Sequence, residues 1–364
     1  MQDQYHLEQV SRSFAVSIQA LSEPLKDYVG LAYLLCRVVD TIEDSNWNNQ
    51  KDQAEAFETF ESFLIRKPLL ESFENFRESF PLDLVREEKE LIDDSNQLFQ
   101  RYHQLPVEIR NCLQNPILSM SRGMKFFIFR DFKKLKLKSR LEVDQYCFFV
   151  AGVVGELLTN LANQISKSKT SAQVKDRSSQ EPFSLVEAYH FALFLQKVNI
   201  LKDKETDENS GRFLIPDRNS LWLQLENHSE FAFDYIEKIP KHLNDFKLFC
   251  SWALFLGLNA LSDMVSSSEK SNQTKISREQ AKQLFGQLQT MITDGISLKA
   301  LYHQFRGEFK DRISSILSKA KCSADHREVP MMDKNQIEIS PITAFYSGKL
   351  RPKDLHELNL IHSS

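Results

Sequence analysis

The chain has 364 residues, of which 41% are hydrophobic, and this is enough to bury a sizeable core. The 46 basic residues nearly balance the 50 acidic ones, so the sequence lacks the basic excess of a nucleic-acid-binding protein. Its aliphatic and aromatic content excludes global disorder, and the scarcity of glycine (10) and proline (11) favours long helices over a turn-rich β fold.

Taken in chain order, the apolar periodicity predicts a series of helices, with no strand alternation and no internal repeat. The predicted helices span residues 28–44, 52–66, 83–103, 107–129, 141–165, 183–207, 220–238, 240–266, 278–293 and 296–320. Polar segments at 166–181 and 266–273 are predicted as surface loops. Neither loop separates two self-sufficient halves, so we predict one large all-α domain over residues 1–325. A C-terminal tail, residues 326–364, loses the helical period.

Cysteine usage and targeting signals favour a cytoplasmic protein. The five cysteines are odd in number and lack C-x-x-C or zinc-site spacing, which indicates free thiols in a reducing compartment. The N-terminal sequence MQDQYHLEQV has no apolar core of a signal peptide. The longest uncharged apolar stretch, residues 248–262, is shorter than the roughly 20 residues of a membrane helix.

The first group of candidate functional residues is DTIED, residues 40–44. Asp40 and Asp44 stand at i,i+4 with Glu43 beside them, and Tyr33 and Arg37 fall within about 60° of the same helix face. Two like charges at this spacing cost roughly 0.2–0.5 kcal/mol in an exposed helix. The residues upstream are apolar, so the acidic cluster ends a buried helix. A solvated helix end bridged by Arg37 would also explain this motif taken alone.

The second group is NILKDKETD, residues 199–207, where Asp203 and Asp207 repeat the i,i+4 spacing. The helix face that leads to them is about 100° wide and runs from apolar through amide to acid. Its members are Leu185, Ala188, Ala192, Gln196, Asn199, Asp203 and Asp207. An amphipathic helix whose last turns leave the core is the alternative. The pattern weakens that alternative, because the polar residues continue the apolar face.

Two such helices facing each other in a bundle would form an oxygen-rich site. Carboxylates without histidine or cysteine suit Mg²⁺, which usually binds one or two carboxylates together with substrate phosphates. A diphosphate would find cationic partners in Arg12, Arg37, Lys202 and Arg212. Loss of diphosphate leaves a carbocation, which needs a dry cavity walled by aromatic rings. The 27 phenylalanines fit that need, although such a content is more often simply a core.

Five stretches carry a resemblance to a known family: SRSFAVSIQAL, CRVVDTIED with Tyr33 before it, YCFFVAGVVGELL, FLQKVNILKDKETD and GRFLIP. In this order, from about residue 11 to residue 216, the chain resembles the squalene and phytoene synthase family. The likeness continues more weakly to residue 284. It implies an all-α helical bundle of the isoprenoid synthase type with a central cavity. It also implies Mg²⁺-dependent head-to-head condensation of two farnesyl diphosphates through presqualene diphosphate.

The resemblance also implies roles for individual residues. The metal-binding acids would be Asp40, Glu43 and Asp44 in the first motif, and Asp203 and Asp207 with Asn199 in the second. Diphosphate would be held by Arg12, Ser13, Arg37 and Arg212, with Lys202 in place of the family's usual arginine. Tyr146 would be the phenol near the departing diphosphate, an acid or base in the coupling. The substrate site would further include Tyr33, Phe14 and Phe249, whereas Gly152 and Gly155 suit close helix packing.

Reduction of the product is the least specific expectation. The stretch TKISREQAKQL, residues 274–284, resembles the basic segment that holds NADPH in the squalene-forming branch of the family, with Lys275 and Arg278 as the matching charges. Ser277 replaces one expected basic residue, and SREQ also reads as a capping box at a helix start. Together with the FLQK and NILKD region, the segment favours reduction to squalene over release of dehydrosqualene or phytoene.

Other functions stay open at this point. A terpene cyclase or head-to-tail elongating enzyme is disfavoured, because those families carry DDxxD clusters without the SRSF and YCxxVAGxVG context. A non-catalytic scaffold with the same fold is disfavoured by the intact acidic motifs. Lys204 and Glu205 also depart from the usual middle of the second motif. No membrane anchor is expected in the tail, but lipid substrates leave peripheral membrane contact open, and a monomer is favoured.

Overall fold

The computed structural model describes residues 2–10, 12–131, 134–171, 185–266 and 277–322. This part of the chain is helical, and its only extended pairing is an isolated parallel bridge between Lys136 and Phe213. The helices are α1 (Gln2–Val10), α2 (Arg12–Gln19), α3 (Leu25–Asp44), α4 (Gln50–Ile65), α5 (Leu70–Glu78), α6 (Arg86–Gln104), α7 (Val107–Arg130), α8 (Arg140–Cys147), α9 (Val153–Ser171), α10 (Leu185–Lys202), α11 (Lys204–Asn209), α12 (Arg218–Lys238), α13 (Asn244–Ser266), α14 (Arg278–Thr293) and α15 (Lys299–Cys322). A π-helical turn, Phe148–Gly152, joins α8 to α9, and a 3₁₀ turn, Lys241–Leu243, precedes α13.

The predicted all-α class is confirmed, with corrections at several boundaries. Sequence periodicity missed α1, α2 and α5, which have only 9, 8 and 9 residues and are shorter than the window over which a helical period can be recognised. The helix predicted over 141–165 contains the π turn, and the one predicted over 183–207 is interrupted at Asp203. The loop predicted to begin at residue 166 is wrong at its start, because α9 continues to Ser171. The rest of that loop, most of the second loop and the tail lie outside the described residues.

The helices group into two compact units. Unit 1 comprises Met1–Leu135 and Val153–Pro182, and unit 2 comprises Lys136–Gly152 and Phe183–Ser364. In unit 1, α3 packs against α1, α2, α4, α6, α7 and α9, and its leucines and valines are fully buried. Edge-to-face phenylalanine pairs support the surrounding helices, such as Phe63 and Phe99 with ring centroids 5.2 Å apart. The prediction of a single domain stays a prediction.

In unit 2, α10 is the central helix and packs against α8, the π turn, α12 and α13. Close approach depends on a glycine: a Cβ on Gly257 of α13 would lie 2.7 Å from Phe194 Cε1 of α10, nearer than real Cβ contacts allow. The side chain of Phe194 is fully buried in this contact. The unit therefore holds α10, which carries the second acidic motif at its end, by packing over most of its length.

One helical run is long and apolar enough to cross a membrane by length and composition, Arg140–Lys167. In its most apolar window, 61% of the residues are buried inside the protein, as expected for a core helix. The predicted free thiols are confirmed for Cys36, Cys112, Cys147 and Cys250. Burial raises the pKa of the Cys147 thiol to about 12, so this thiol stays protonated and unreactive at neutral pH.

Candidate active site

The first acidic motif occupies the C-terminal end of α3, and neighbouring side chains hold that end in place. Gln53 of α4 donates from Nε2 to the carbonyl oxygens of Ile42 (2.8 Å) and Glu43 (3.1 Å). The indole N–H of Trp47 also donates to Ile42 O, at 2.9 Å. These bonds satisfy helix-end carbonyls that would otherwise lack partners. The last turn of α3 contains no basic residue, so its carboxylates sit at the negative end of the helix dipole, where they are disfavoured.

Arg37 neutralises part of this charge. Its Nη1 donates to Asp40 Oδ2 at 3.0 Å, and its Nη2 lies 3.6 Å from Glu88 Oε1 of α6. Burial alone would lower the pKa of Arg37, but the carboxylates of Asp40, Asp44 and Glu88 together with Tyr33 raise it, so the guanidinium stays charged. The bridge between Arg37 and an acid of its own helix is therefore confirmed. Tyr33 is half-buried one turn earlier on α3.

Glu88 is a residue of this site that sequence reasoning missed. Burial raises the pKa of its carboxyl and the charge of Asp44 adds to that effect, while Arg37 opposes it. Glu88 thus lies in the same electrostatic environment as the first acidic motif. The sequence around it, REEKELIDD, has several acidic residues and gives no signal that one glutamate faces another helix.

The second acidic motif spans a helix junction in unit 2. Helix α10 ends at Lys202, and Asp203 adopts φ −97° and ψ 10° before α11 begins. The Asp203 N–H still donates to Asn199 O (2.8 Å), and the Asp207 N–H donates to Asp203 O (2.9 Å). The predicted i,i+4 spacing therefore survives, although the predicted unbroken helix is wrong. Asn199 is exposed, and Lys202 Nζ lies 3.6 Å from Asp203 Oδ2 with both side chains about half exposed.

A glycine turn connects this motif to Arg212. The Gly211 N–H donates to Glu208 O (3.1 Å) and the Arg212 N–H donates to Asp207 O (2.8 Å), the two bonds of a Schellman motif. Gly211 has φ +86°, the left-handed region that glycine adopts without steric cost. The chain direction after the second acidic motif is thereby fixed, and Arg212 is the first residue beyond the turn.

Arg212 reaches back to Tyr146. Its Nη2 donates a short hydrogen bond to the phenol oxygen, and its guanidinium carbon lies 5.9 Å from the centre of the tyrosine ring. Tyr146 lies near the end of α8 and is 1% exposed, so its hydroxyl requires such a partner. The neighbouring backbone is paired as well, because the Leu137 N–H donates to Phe213 O at 3.1 Å. The structure therefore brings together the predicted phenol, the predicted cation and the loop that follows the second acidic motif.

The π turn that follows Tyr146 depends on Gly152. A Cβ there would lie 2.8 Å from Phe148 Cδ2 and 3.4 Å from Leu193 Cδ1. The packing role predicted for Gly152 is confirmed, and the same role for Gly155 stays a prediction. π turns inside α-helices occur frequently at functional sites.

The remaining predicted residues are placed only in part. Helix α2 begins at Arg12, but the side chains of Arg12, Ser13 and Phe14 lie outside the described residues, as do Lys275 and the side chain of Arg278. Phe249 is buried in unit 2, with its ring stacked on Phe246 at 6.1 Å, and its contact with substrate stays a prediction. The capping box is confirmed: Ser277 Oγ accepts from the Gln280 N–H at 3.1 Å, and Gln280 Oε1 accepts from the Ser277 N–H at 3.0 Å.

The donor atoms of both acidic motifs suit a hard cation. Each motif presents carboxylate oxygens at i,i+4 spacing, and the exposed amide of Asn199 adds another oxygen. Within the described residues, no three His, Cys, Asp or Glu side chains converge closely enough to hold a metal ion by themselves. A cation would therefore need further oxygens from substrate or water, which is the usual mode for Mg²⁺. The first motif belongs to unit 1 and the second to unit 2, and their action as one site stays a prediction.

The chain has the predicted all-α fold of the isoprenoid synthase type, which it shares with solved structures. A complex of TcSQS with the ligand E5700 superimposes with a TM-score of 0.65, at 22% identity, over 87% of this chain and 97% of that one. A dehydrosqualene synthase in complex with a ligand gives a TM-score of 0.53, at 20% identity, over 80% and 95% of the two chains.

The family follows from the sequence match. The family model for squalene/phytoene synthase matches residues 7–230, which is more than half of the chain, and the protein belongs to this family. It is similar to the squalene synthase of Mycosarcoma maydis (29% identity over 242 residues) and to that of Homo sapiens (28% over 211 residues). These matches cover 65% and 58% of this chain, but only 39% and 45% of the respective relatives.

Proposed function

We propose that the protein joins two molecules of farnesyl diphosphate head to head through presqualene diphosphate, and that it then reduces the product to squalene with NADPH. The family match supports a prenyl condensation of this kind. The observation that carries the proposal is the Arg212–Tyr146 pair, because it places a cation and a buried phenol together at the end of the second acidic motif.

In this proposal, the guanidinium groups bind the diphosphate. Arg37 and Arg212 are held by neighbouring side chains, and a fixed planar fork of donors suits phosphate oxygens. Arg37 would exchange its bridge to Asp40 for a bond to substrate, which releases the carboxylate. Lys202 supplies a mobile point charge at the exposed end of α10. Each cation lowers the cost of the negative charge that develops on the leaving diphosphate.

Tyr146 would handle the proton of the condensation. Formation of the cyclopropane ring requires loss of one proton from the carbon that becomes bonded. The Tyr146 hydroxyl can relay this proton, since it can pass its own proton to the departing diphosphate as it takes up the one from carbon. The surrounding phenylalanines, Phe148 and Phe149, are buried and would exclude water from a carbocation.

The oxygen donors that would hold Mg²⁺ are those of Asp40, Glu43 and Asp44 in the first motif and of Asn199, Asp203 and Asp207 in the second. When bound, Mg²⁺ would supply charge neutralisation for the diphosphate oxygens. Each motif has a cation beside its carboxylates, because Arg37 pairs with Asp40 and Lys202 lies near Asp203.

The test is product analysis by gas chromatography after incubation with farnesyl diphosphate, Mg²⁺ and NADPH. We expect squalene when NADPH is present, and diphosphate release that requires Mg²⁺. A parallel incubation with the C20 substrate, geranylgeranyl diphosphate, determines the chain length. Diphosphate release without a C30 product would indicate a cyclase. If no diphosphate is released, the result would support a non-catalytic scaffold protein with this fold.

A non-reductive synthase is the second candidate, and one observation favours it. Ser277 and Gln280 form a complete capping box, so the start of α14 is explained without a cofactor. The match to the basic NADPH segment then rests on Lys275 and Arg278 alone. If dehydrosqualene or phytoene is the sole product, whether or not NADPH is added, the proposed reduction is wrong and the proposed head-to-head condensation is retained.

We further propose a cytoplasmic location, in which the enzyme meets its lipid substrate by peripheral contact with a membrane, and a monomeric state. The free thiols support the reducing compartment. Cell fractionation at low and high salt would test the location, and light scattering would test the oligomeric state. Recovery of the protein only after detergent extraction would contradict peripheral contact.

A further inference from the structure

A buried polar cluster in unit 2 has at its centre one residue of the FLQKVNILKDKETD stretch to which no role has been given so far. Its centre is Lys197 of α10, which has no solvent exposure. The Lys197 ammonium donates to Asp144 of α8 in a short bond, to Gln224 Oε1 of α12 at 2.8 Å, and to His228 Nε2 of α12 at 2.8 Å. These three acceptors match the three protons that an ammonium carries. The cluster thus connects three helices through one side chain.

The other members of the cluster are also satisfied. Gln224 Nε2 lies 3.3 Å from both carboxylate oxygens of Asp144. Since His228 accepts from Lys197 at Nε2, its proton resides on Nδ1, from which it donates to His190 Nδ1 at 2.7 Å. Arg140 of α8, a partly exposed residue, adds a second cation 4.0 Å from Asp144 Oδ2. These hydrogen bonds can all form together only if each of the three helices keeps a defined rotation about its axis and a defined position along it.

Stability does not explain the cluster. A buried ion pair loses about as much in desolvation as it gains in attraction, and well-packed apolar residues are often as good or better. The best attested use of buried polar groups is to select one arrangement of elements over others. The three helices joined here are those next to the candidate site: α8 carries Tyr146, α10 ends in the second acidic motif, and α12 follows the loop that contains Arg212.

We propose that Lys197 and Asp144 are positioning residues, which fix the rotation of α8 so that the Tyr146 hydroxyl meets Arg212. Helix α8 is the first 8 residues of the helical run Arg140–Lys167, and the π turn at Phe148–Gly152 interrupts the regular α-helical hydrogen bonding immediately after it. Asp144 and Tyr146 are two residues apart and so point to nearly opposite faces of α8. A rotation that frees Asp144 from Lys197 moves the phenol by a similar angle. The inference rests on the proposed function for its kinetic consequences but not for its structural ones.

The test removes both charges together. The double substitution Asp144→Asn with Lys197→Met keeps the volumes and the net charge, so it leaves no isolated buried ion. The control is Glu187→Gln with Lys238→Met, which removes an ion pair between α10 and α12, two of the three helices that the cluster joins, at a more exposed place. The first readout is ¹⁹F NMR of protein labelled with 3-fluorotyrosine, with the Tyr146 resonance assigned by its absence in Tyr146→Phe.

We expect the Tyr146 resonance to shift and broaden in the Asp144/Lys197 double variant and to stay unchanged in the control. Activity should follow: kcat falls by roughly 10- to 100-fold, as a displacement on the order of 1 Å can cause, with little change in KM. In a Tyr146→Phe background the same double substitution should cause no further loss, because both act through one hydroxyl.

An unchanged Tyr146 resonance with unchanged kcat would overturn the proposal, as would an equal loss of kcat in the Tyr146→Phe background. If the double variant does not fold, Gln224→Leu removes one partner of both ions without altering charge, and it should shift the same resonance to a smaller extent. An unshifted resonance in that variant would also refute the positioning role. If the wild-type protein releases no diphosphate, the proposed function fails, while the resonance still decides whether the cluster positions Tyr146.

Discussion

Tyr146 combines features that a packing residue does not need. It is nearly inaccessible to solvent, its hydroxyl accepts from a guanidinium, and that guanidinium belongs to the loop after an acidic motif. The residue is therefore the most informative single position for substitution.

We expect Tyr146→Phe to lower kcat by roughly 100-fold or more, the range for loss of a general acid or base. The fold should persist, since the ring packing is kept. The control is Tyr302→Phe in α15, another buried tyrosine whose hydroxyl lies 3.2 Å from Ser229 Oγ. This control should lose similar stability but keep kcat. Steady-state kinetics and thermal melts check both, and equal kcat values for the two variants would remove Tyr146 from the chemistry.

Lys202 is a second prediction at the residue scale. It stands where the family carries arginine, and it pairs with Asp203 at the exposed end of α10. We expect Lys202→Ala to lose substantial activity and Lys202→Arg to retain much of it, because a positive charge at this place can reach a diphosphate. Lys204→Ala, the next cation, pairs with Glu208 and should have little effect. Unchanged kinetics in Lys202→Ala would make Lys202 an ordinary solvated lysine.

At the scale of elements, helix ends organise the candidate site. The first motif is the end of α3, held by Gln53 and Trp47, and the second is the junction between α10 and α11. Acidic side chains at the C-terminal end of a helix oppose its dipole, typically by about 0.3–1 kcal/mol each. This cost is understandable if a bound cation offsets it.

The turn at Gly211 positions Arg212 next to Tyr146. We expect Gly211→Ala to lower stability by about 1 kcal/mol, because alanine is strained at positive φ, and to lower kcat as Arg212 is displaced. Gly295→Ala is the matched control: Gly295 has φ +68° and open space around its Cβ position, between α14 and α15. It should lower the melting temperature comparably and leave kcat unchanged. If the two variants have the same kcat, the turn does not serve the site.

For the whole molecule, we predict that the two acidic motifs act as one functional unit. Asp40→Asn and Asp203→Asn should each abolish turnover while circular dichroism shows an intact helical fold. Asp93→Asn, which removes a surface carboxylate paired with Lys89, is the control and should be active. Near-wild-type turnover by either motif variant at saturating Mg²⁺ would contradict a cation site shared by the two motifs.

Acid sensitivity is a second prediction for the whole molecule. Burial, reinforced by the charge of Lys197, lowers the pKa of His190 to about 4, and burial lowers that of His228 as well. As pH falls below about 6.5, the unfolded chain binds protons that the folded chain cannot. Stability is therefore present above pH 6.5 and declines toward pH 4, by roughly 1.4 kcal/mol per pH unit for each histidine.

Denaturant melts between pH 7 and pH 4 measure this slope. The double variant His190→Gln with His228→Gln keeps hydrogen-bonding groups but cannot titrate, so its stability should depend less on pH. His303→Gln, at an exposed position of α15, is the control and should retain the wild-type slope. A double variant with an unchanged slope would assign the acid sensitivity to other groups.

Local patterns in the sequence determined the helical class, most helix positions and the spacing of both acidic motifs, because periodicity reports which residues share a face of a helix. Motif order also pointed to Tyr146 and Arg212 separately. Their contact was not predictable, since the two residues are 66 positions apart and meet only because a glycine turn reverses the chain. The same holds for Glu88, which reaches Arg37 from another helix, and for Lys197, which pairs with Asp144 across 53 positions. Periodicity marks a face as buried or polar, but it does not name the partner, and only the packed tertiary structure decides which distant groups share a hydrogen bond.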